Sequence, residues 1–206
     1  MRQCSGEKIT SLIPPPSSNL IIGLGANLPS SVGEPIYTLL DSRTKIESII
    51  REWTTFTLGK NKLHMKNKYQ KDLSLKWSPL FQTEPLGGPK NQSPYINAVL
   101  VVEGTKLEAI NPSKEAAFNL LNKFLSLEKE YGRDREHESV RWGPRTLDID
   151  LLVWGNFHIK EKALTIPHPR IFERSFVIVP LGEAISPKNN PPKKIFEESW
   201  PESSNK

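Results

Sequence analysis

The order of the apolar patterns along the chain limits its fold more than any other feature of the sequence. Residues 20–25 form a continuous apolar run, which predicts a strand buried on both faces. Residues 75–83 and 95–102 predict two further strands, and residues 146–154 predict a fourth. Apolar residues at helical spacing follow the first and third strands, so a helix is expected at each of those positions.

The two predicted helices pack against the sheet through regular apolar stripes. The second is expected to start with Asn111 as its N-cap and Pro112 in its first turn, and to stop at Gly132. The stripes consist of Ile36, Leu39, Leu40, Ile46, Ile49 and Ile50 in the first helix and Ala117, Leu120, Leu121, Phe124 and Leu127 in the second. The order strand, helix, strand, strand, helix, strand predicts an α+β domain with a ferredoxin-like core, in which helices pack on an antiparallel sheet.

Weaker patterns lie outside this core. Beyond Gly155 and Asn156 we expect a hairpin strand, a proline-rich turn at residues 166–169 and a short helix over residues 176–184. Residues 1–18 are expected to be a disordered lead-in, residues 19–185 to form one domain, and residues 186–206 to be a loose tail rich in Pro, Lys, Glu and Ser.

Length and composition narrow the class of protein. A chain of 206 residues is long enough for one domain with a proper core. It has no apolar run of membrane-spanning length and no signal-peptide pattern before residue 18, so no membrane partner is expected. Cys4 is the single cysteine, which excludes an internal disulfide and a cysteine zinc site. A reducing compartment, the cytoplasm, fits best.

The net charge of +5 raises the alternative of a basic nucleic-acid binder. Residues 51–72 hold six basic residues against two acidic ones, which accounts for most of that charge. The segment has little apolar periodicity, and no nucleic-acid-binding motif accompanies it. We therefore expect residues 52–72 to be a solvated basic insertion in a loop, and we expect no nucleic-acid partner.

Asp148 and Asp150 are the strongest candidates for a chemical site. Side chains alternate along a strand, so both carboxylates lie on one face, while Leu147, Ile149, Leu151 and Val153 point to a core on the other. Two adjacent carboxylates repel each other, and a hard cation such as Mg²⁺ removes that conflict. The alternative is an ordinary solvated sheet face, for which two acids are not unusual.

A rigid basic segment lies just before the acid pair. Arg141 and Arg145 flank Trp142 and a Gly-Pro turn, and guanidinium groups match the oxygens of phosphate in geometry and charge. The alternative for an arginine next to a tryptophan is a stacked pair on the surface. Together with the acids, the segment predicts a metal-assisted site for a phosphorylated ligand.

Six short motifs, in this order, resemble the 6-hydroxymethyl-7,8-dihydropterin pyrophosphokinase family of folate biosynthesis. The resemblance covers residues 20–184, and its most specific motif is the run at 141–150; the others lie at residues 25–27, 83–87, 95–98, 132–133 and 167–168. It implies the ferredoxin-like fold already expected from the order of the elements. It also implies transfer of pyrophosphate from ATP to the hydroxymethyl group of the dihydropterin, with release of AMP.

The resemblance implies roles for residues near the phosphates. Asp148 and Asp150 would hold two Mg²⁺ ions that bridge the ATP phosphates, and Arg133 and Arg145 would be catalytic, following the charge that develops on phosphate oxygens. Without the motif, Arg133 would be a cation at a helix C-terminus. The ATP-binding positions implied are Arg135, Arg141, Leu151, Thr165, His168 and Arg174. His168 lies between two prolines; its alternative is a surface histidine.

The resemblance also implies a pocket for the flat pterin ring. Trp142 and Phe176 would stack on it, and the amide of Asn97 offers a donor and an acceptor to the ring edge. The other implied pterin-binding positions are Thr83, Leu86 and Tyr95. For Phe176 and Tyr95 taken alone, core packing is the alternative, whereas an amide inside the apolar strand at Asn97 needs partners.

The chain departs from the family pattern in three places. The loop at residues 134–140 is longer than in compact members, and its polar tip could move as a lid, which puts the nucleotide contact of Arg135 in question. Asn91 stands where an acid is common, and residues 52–72 have no clear counterpart. A monomer is expected.

Overall fold

The computed structural model describes residues 19–60, 72–135, 140 and 142–185, with only the backbone at residue 60. The predicted lead-in and tail, together with Cys4, lie outside the described residues. The described part is an α+β fold built on one antiparallel sheet, as predicted. None of its helices is both long and apolar enough to cross a bilayer.

The main sheet has the strand order of a ferredoxin-like core. Strand β1 (Leu20–Ala26) lies at the centre, between β4 (Tyr95–Glu103) and β5 (Asp148–Trp154), and pairs antiparallel with both. The outer edge of β4 pairs with β2 (Ser74–Trp77) and then with β3 (Phe81–Thr83). Every residue of β1 is buried, as its apolar run predicts.

The single strand predicted at residues 75–83 is in fact two strands. The break falls at Ser78–Leu80, because Pro79 has no backbone N–H to donate to the sheet. The Ser78 hydroxyl instead accepts a hydrogen bond from the Val99 N–H at 2.9 Å and donates to the Pro79 carbonyl at 2.8 Å. The break turns β3 so that Thr83 pairs with Tyr95, where the chain enters the candidate site.

Two long helices cover one face of the sheet. Helix α1 (Pro35–Lys60) and, after the short α2 (Thr105–Glu108), helix α3 (Lys114–Glu130) pack their apolar stripes into the main core. The N-cap of α3 is Ser113 rather than the predicted Asn111, since its hydroxyl accepts from the Ala116 N–H at 3.2 Å. Gly132 follows the end of α3 with a φ of 85°, the left-handed conformation that suits glycine.

The prediction of a loop beginning at residue 52 is wrong. Helix α1 continues to Lys60, and Trp53 is fully buried within its second half. The indole Nε1 of Trp53 donates to the Ala116 carbonyl at 3.1 Å, and its ring meets Trp154 edge-on at 5.3 Å. One large aromatic and its hydrogen bond therefore fix a stretch whose sequence has weak apolar periodicity. Residues 61–71 lie outside the described residues.

The opposite face of the sheet is covered by the C-terminal elements. Helix α4 (Ser175–Ile185) packs Val177 and Leu181 onto a second, smaller core. The single hairpin strand predicted after Gly155 and Asn156 is in fact two short strands, β6 (Ile159–Lys160) and β7 (Thr165–Ile166), which pair with each other. A bulge at Leu152 interrupts the pairing of β5 with β1, so the predicted alternation fails from there. Val153 packs toward α4, and Trp154 occupies the main core instead.

Candidate active site

An open cleft lies on the α4 side of the sheet, over β1, β4 and β5. Its walls come from β3, the loop after it, the segment before β5 and helix α4. The cleft brings together most of the residues predicted to form the site: Thr83, Leu86, Tyr95, Asn97, Trp142, Arg145, Asp148, Asp150, Arg174 and Phe176. Gly23 and Gly25 of β1 form part of its floor.

Asp148 is held by arginines from two directions. It forms a close ion pair with Nη1 of Arg133, and Nη1 of Arg145 donates to its Oδ2 at 2.7 Å. Burial acts to raise the pKa of Asp148, but the charges and hydrogen bonds of the two arginines outweigh burial and lower the pKa to about 2. The carboxylate is therefore charged throughout the physiological range.

Asp150 has a very different environment on the same face of β5. Among the described residues its closest ion-pair partner is Arg174, whose Nη1 lies 3.6 Å from Oδ2. Burial and the neighbouring charge of Asp148 raise the pKa of Asp150 to about 7, and Arg174 only partly offsets them. Within the described part of the chain, Asp150 therefore has fewer close positive charges than Asp148.

Glu128 completes the charged network and is not among the predicted site residues. Its side chain is 1% exposed, and Oε1 accepts from the Ile149 N–H at 2.8 Å, between the two aspartates. Arg135 donates to both of its oxygens, at 2.8 and 2.9 Å, and Arg133 lies 3.2 Å away. A signal was available in the sequence, because residue 128 continues the buried stripe of α3, where an acid needs partners.

Arg145 is fixed by its backbone as well as by its side chain. Its N–H donates to Oδ1 of Asn27 at 2.8 Å, and the Asn27 N–H donates back to the Arg145 carbonyl at 2.9 Å. Its guanidinium group bonds the Gly143 carbonyl and lies 5.8 Å from the ring centre of Tyr95. Asn27 follows β1 and anchors the segment that carries Arg145, a role not expected from the sequence.

The polar wall of the cleft is formed by Asn97 and Thr83. Nδ2 of Asn97 donates to the Thr83 hydroxyl at 2.8 Å, so the buried amide has the partner that its position demanded. A Cβ atom on Gly25 would lie 2.9 Å from Oδ1 of Asn97, so glycine is needed to leave room for this amide. Tyr95 lines the same region and donates from its hydroxyl to the Gly143 carbonyl at 3.0 Å.

Two aromatic rings and a leucine border the apolar part. Phe176 lies under the guanidinium of Arg174, at 5.5 Å, and Trp142 lies under that of Arg170, at 5.0 Å. Trp142 has a φ of 59°, rare for a bulky residue, and is 39% exposed, while Leu86 is 55% exposed. This side of the cleft is open and lightly packed.

The loop between β3 and β4 contacts Trp142 closely. Nε2 of Gln92 donates to the carbonyls of Gly87, Pro89 and Trp142 at 3.2–3.3 Å. Gly88 has a φ of 78°, and a Cβ atom there would lie 2.3 Å from the Trp142 carbonyl oxygen. Only glycine allows the two segments to approach this closely.

Within the described part of the chain, three further residues predicted to bind the nucleotide are not among those that line the cleft. His168 is fixed by its N–H, which donates to the Leu152 carbonyl at 2.7 Å, and burial followed by the charge of Arg174 lowers its pKa. Thr165 lies in β7. The side chain of Leu151 packs in the main core on the other face of the sheet and is not brought into the cleft. Arg141 lies outside the described residues.

The donor set suits a hard cation that also binds a phosphorylated ligand. Among the described residues, no group of three or more His, Cys, Asp and Glu side chains forms a metal site. Asp148 and Asp150 offer carboxylate oxygens on one face of β5, at the floor of the cleft. Mg²⁺ takes one or two carboxylates and completes its coordination with water and phosphate oxygens, so the two acids fit it.

Residues 21–186 match the sequence model of the family described as 7,8-dihydro-6-hydroxymethylpterin-pyrophosphokinase (HPPK). The chain belongs to the HPPK family. Proteins of this family use ATP and act on a hydroxymethyldihydropterin, and family membership agrees with the ferredoxin-like sheet order.

Individual relatives carry matching names. The chain is similar to the 2-amino-4-hydroxy-6-hydroxymethyldihydropteridine pyrophosphokinases of Bacillus subtilis (38% identity) and Haemophilus influenzae (40%), over 52% and 59% of its length. It also resembles the folate synthesis bifunctional protein of Arabidopsis thaliana, at 33% identity over 74% of its length. The aligned parts span 57%, 68% and 31% of those three proteins.

Proposed function

We propose that the protein transfers pyrophosphate from ATP to the hydroxymethyl group of 6-hydroxymethyl-7,8-dihydropterin and releases AMP. The observation that supports this best is the composition of the single cleft described above. A charged floor of Asp148, Asp150 and Arg145 adjoins a wall of Asn97 and Trp142 that suits a flat polar ring. A phosphate site and a heterocycle site thus share one cavity.

In this proposal Asp148 and Asp150 would hold two Mg²⁺ ions together with the ATP phosphates. When bound, such ions would supply positive charge against the phosphate oxygens. Asp148 is already charged because Arg133 and Arg145 lower its pKa, so no proton has to leave it. Burial and the neighbouring negative charge of Asp148 raise the pKa of Asp150, and a bound cation would relieve the repulsion between the two acids.

The arginines act on the phosphoryl group that moves. The pterin hydroxyl oxygen attacks the β-phosphorus, the bond from that phosphorus to the α–β bridging oxygen breaks, and the hydroxyl proton passes to solvent. Arg145, which lines the cleft, would act on the phosphate oxygens on which charge develops, and Arg133, which lies buried behind Asp148, would have the same role in this proposal. Glu128 supports this arrangement by holding Arg133 and Arg135 at the end of α3.

Trp142 and Phe176 would stack on the pterin, while Asn97 and Thr83 would bond its edge, with Leu86 and Tyr95 completing the pocket. His168, Arg135, Arg141, Thr165 and Arg174 would contact the nucleotide, with Leu151 contributing through its backbone. The imidazole Nδ1 of His168 accepts from the Arg170 N–H at 3.2 Å, so a neutral ring presents Nε2–H to a phosphate or ribose oxygen.

We also propose that the protein is cytoplasmic and monomeric. Cell fractionation tests its location, and light scattering tests its oligomeric state.

The decisive experiment identifies the nucleotide product. Protein, ATP and Mg²⁺ are incubated with and without the dihydropterin, and the nucleotides are separated. We expect AMP, formed only when the pterin is present. Formation of ADP, or ATP turnover that does not depend on the pterin, would instead indicate another ATP-dependent transferase, and cleavage of added nucleic acid would indicate a two-metal nuclease.

A further inference from the structure

Arg170 is a cleft residue that has no part in the proposed chemistry. It lies between the His168-Pro169 turn and the 3-10 helix Ile171–Glu173, and it lines the cleft together with Arg145 and Arg174. Those two arginines pair with the aspartates of the floor. Arg170 instead pairs with Glu173 at the surface, where Nε lies 3.0 Å from Oε2.

The guanidinium of Arg170 faces the ring of Trp142. Its central carbon lies 5.0 Å from the ring centre, within the range of a cation–π attraction. The backbone of Trp142 is in the left-handed region, and more than a third of the residue is exposed, so the packing around its ring is incomplete. A Cβ atom on Gly87 would lie 3.0 Å from Cε3 of the indole, so the loop after β3 also approaches the ring closely.

The backbone around Arg170 is tied to the sheet. Its own N–H donates to Nδ1 of His168, and the His168 N–H donates to the Leu152 carbonyl of β5. The Ile171 N–H donates to the His168 carbonyl at 3.1 Å, and the Ile171 side chain is buried. Arg170 therefore links a lightly packed aromatic ring to the rigid part of the fold.

We propose that Arg170 is a positioning residue for pterin binding. Its guanidinium holds the Trp142 indole in the orientation that receives the flat ring, and it acts through Trp142 rather than by touching the phosphates. This inference rests on the proposed function. It predicts a change in pterin affinity, with ATP affinity and turnover at saturating pterin left almost unchanged.

The test is a double-mutant cycle. Arg170→Met keeps the length of the side chain but removes the guanidinium, and Arg170→Lys keeps the charge. Glu173→Gln controls for the ion pair, and Lys114→Met controls for loss of an exposed cation outside the cleft, since Lys114 pairs with Glu161 at 2.5 Å. Each variant is also made in a Trp142→Leu background, and melting temperatures confirm that every protein is folded.

Arg170→Met should raise the Kd and KM for the pterin on the order of 2- to 30-fold, the range of a cation–π contact. Arg170→Lys should recover part of the loss, the two controls should bind like the unchanged protein, and in the Trp142→Leu background the loss should vanish. An equal loss in both backgrounds, a rise in the KM for ATP instead, or tighter pterin binding would overturn the proposal.

A measurement without substrates separates this proposal from the proposed function. The fluorescence of Trp142 is obtained as the difference between the unchanged protein and Trp142→Phe, and acrylamide quenching reports how freely the ring moves. Arg170→Met should increase the quenching constant even if the protein makes no AMP. An unchanged quenching constant would show that Arg170 does not hold the indole, whatever reaction the cleft catalyses.

Discussion

The floor of the cleft holds its side chains far more firmly than the rim does. At and beneath the floor, Asp148 and Arg133 form a buried pair that Glu128 and Arg145 extend, and the strand β5 and helix α3 carry two of these residues, Asp148 and Glu128. At the rim, Trp142 and Leu86 are exposed and lie on irregular segments that contain several left-handed residues.

This difference fits a division of labour between the two regions. Charge stabilisation in a transition state works best when the charges are already in place, because no reorganisation is then needed during the reaction. A site that must admit and release a flat ring needs some freedom instead. We therefore expect floor substitutions to lower kcat and rim substitutions to raise the KM for the pterin.

The largest effect is expected from the acid pair. Asp148→Asn and Asp150→Asn should each reduce kcat on the order of 10³-fold or more, because each loses part of a metal-held clamp worth several kcal/mol. Steady-state turnover at saturating Mg²⁺ measures the loss. Near-normal turnover of either variant would remove that residue from the metal site.

The same two variants should differ in stability. Asp148→Asn leaves the buried Arg133 short of a charged partner, and we expect it to lower the free energy of unfolding by about 1–3 kcal/mol. Asp150→Asn removes a charge that burial and Asp148 disfavour, so we expect the free energy of unfolding at neutral pH to stay the same or to rise. Urea denaturation without Mg²⁺ measures the stability of the two variants. Equal losses of stability would contradict the different environments of Asp148 and Asp150.

Next in size are the floor arginines. Arg133→Ala and Arg145→Ala should lower kcat on the order of 10²- to 10³-fold and should change the KM for either substrate much less, since their contacts strengthen in the transition state. Full initial-rate kinetics in both substrates separate the two parameters. If only KM rises, the arginine has a binding role.

A rim substitution should show the reverse pattern. Trp142→Ala should raise the Kd for the pterin about 5- to 150-fold, given the roughly 1–3 kcal/mol of stacking on an aromatic side chain. Trp142→Phe keeps a ring and serves as the matched control. Pterin titration measures both, and an effect on kcat alone would place Trp142 with the floor.

The smallest effect is expected at Gln92. Gln92→Met keeps the shape of the side chain but removes the amide that donates to three carbonyls of the rim. We expect a rise in pterin KM of about 2- to 5-fold, as for the loss of a weak exposed hydrogen bond of about 0.5–1 kcal/mol. A kcat loss as large as that of Arg145→Ala would erase the distinction between the two regions.

The sequence predicted the parts of the molecule in which local pattern and tertiary structure agree. The buried run of β1, the paired acids of β5 and the order of elements are all read correctly from periodicity. The second half of α1 was missed, because its position depends on one buried tryptophan that bonds a carbonyl of α3. The bulge at Leu152 was missed because pairing with β1 creates it, and the sequence of β5 shows no break.

The residues of the candidate site also fall into those that the sequence predicts and those that it does not. Motif residues such as Asp148, Arg145 and Asn97 were identified individually, and the structure brings them to one cleft. Glu128, Asn27 and Arg170 were not identified as site residues, because each acts by holding another residue in place. Such roles depend on distances between segments far apart in the chain, which spacing alone does not reveal.

The most direct test of the account follows the atoms of ATP. ATP carrying ¹⁸O at the bridge between the α- and β-phosphorus is incubated with the protein, Mg²⁺ and 6-hydroxymethyl-7,8-dihydropterin, and both products are analysed by mass spectrometry. We expect labelled AMP and an unlabelled pterin that has gained two phosphoryl groups. Label in the pterin product, or a pterin with one phosphoryl group alongside ADP, would contradict attack at the β-phosphorus and with it the proposed function.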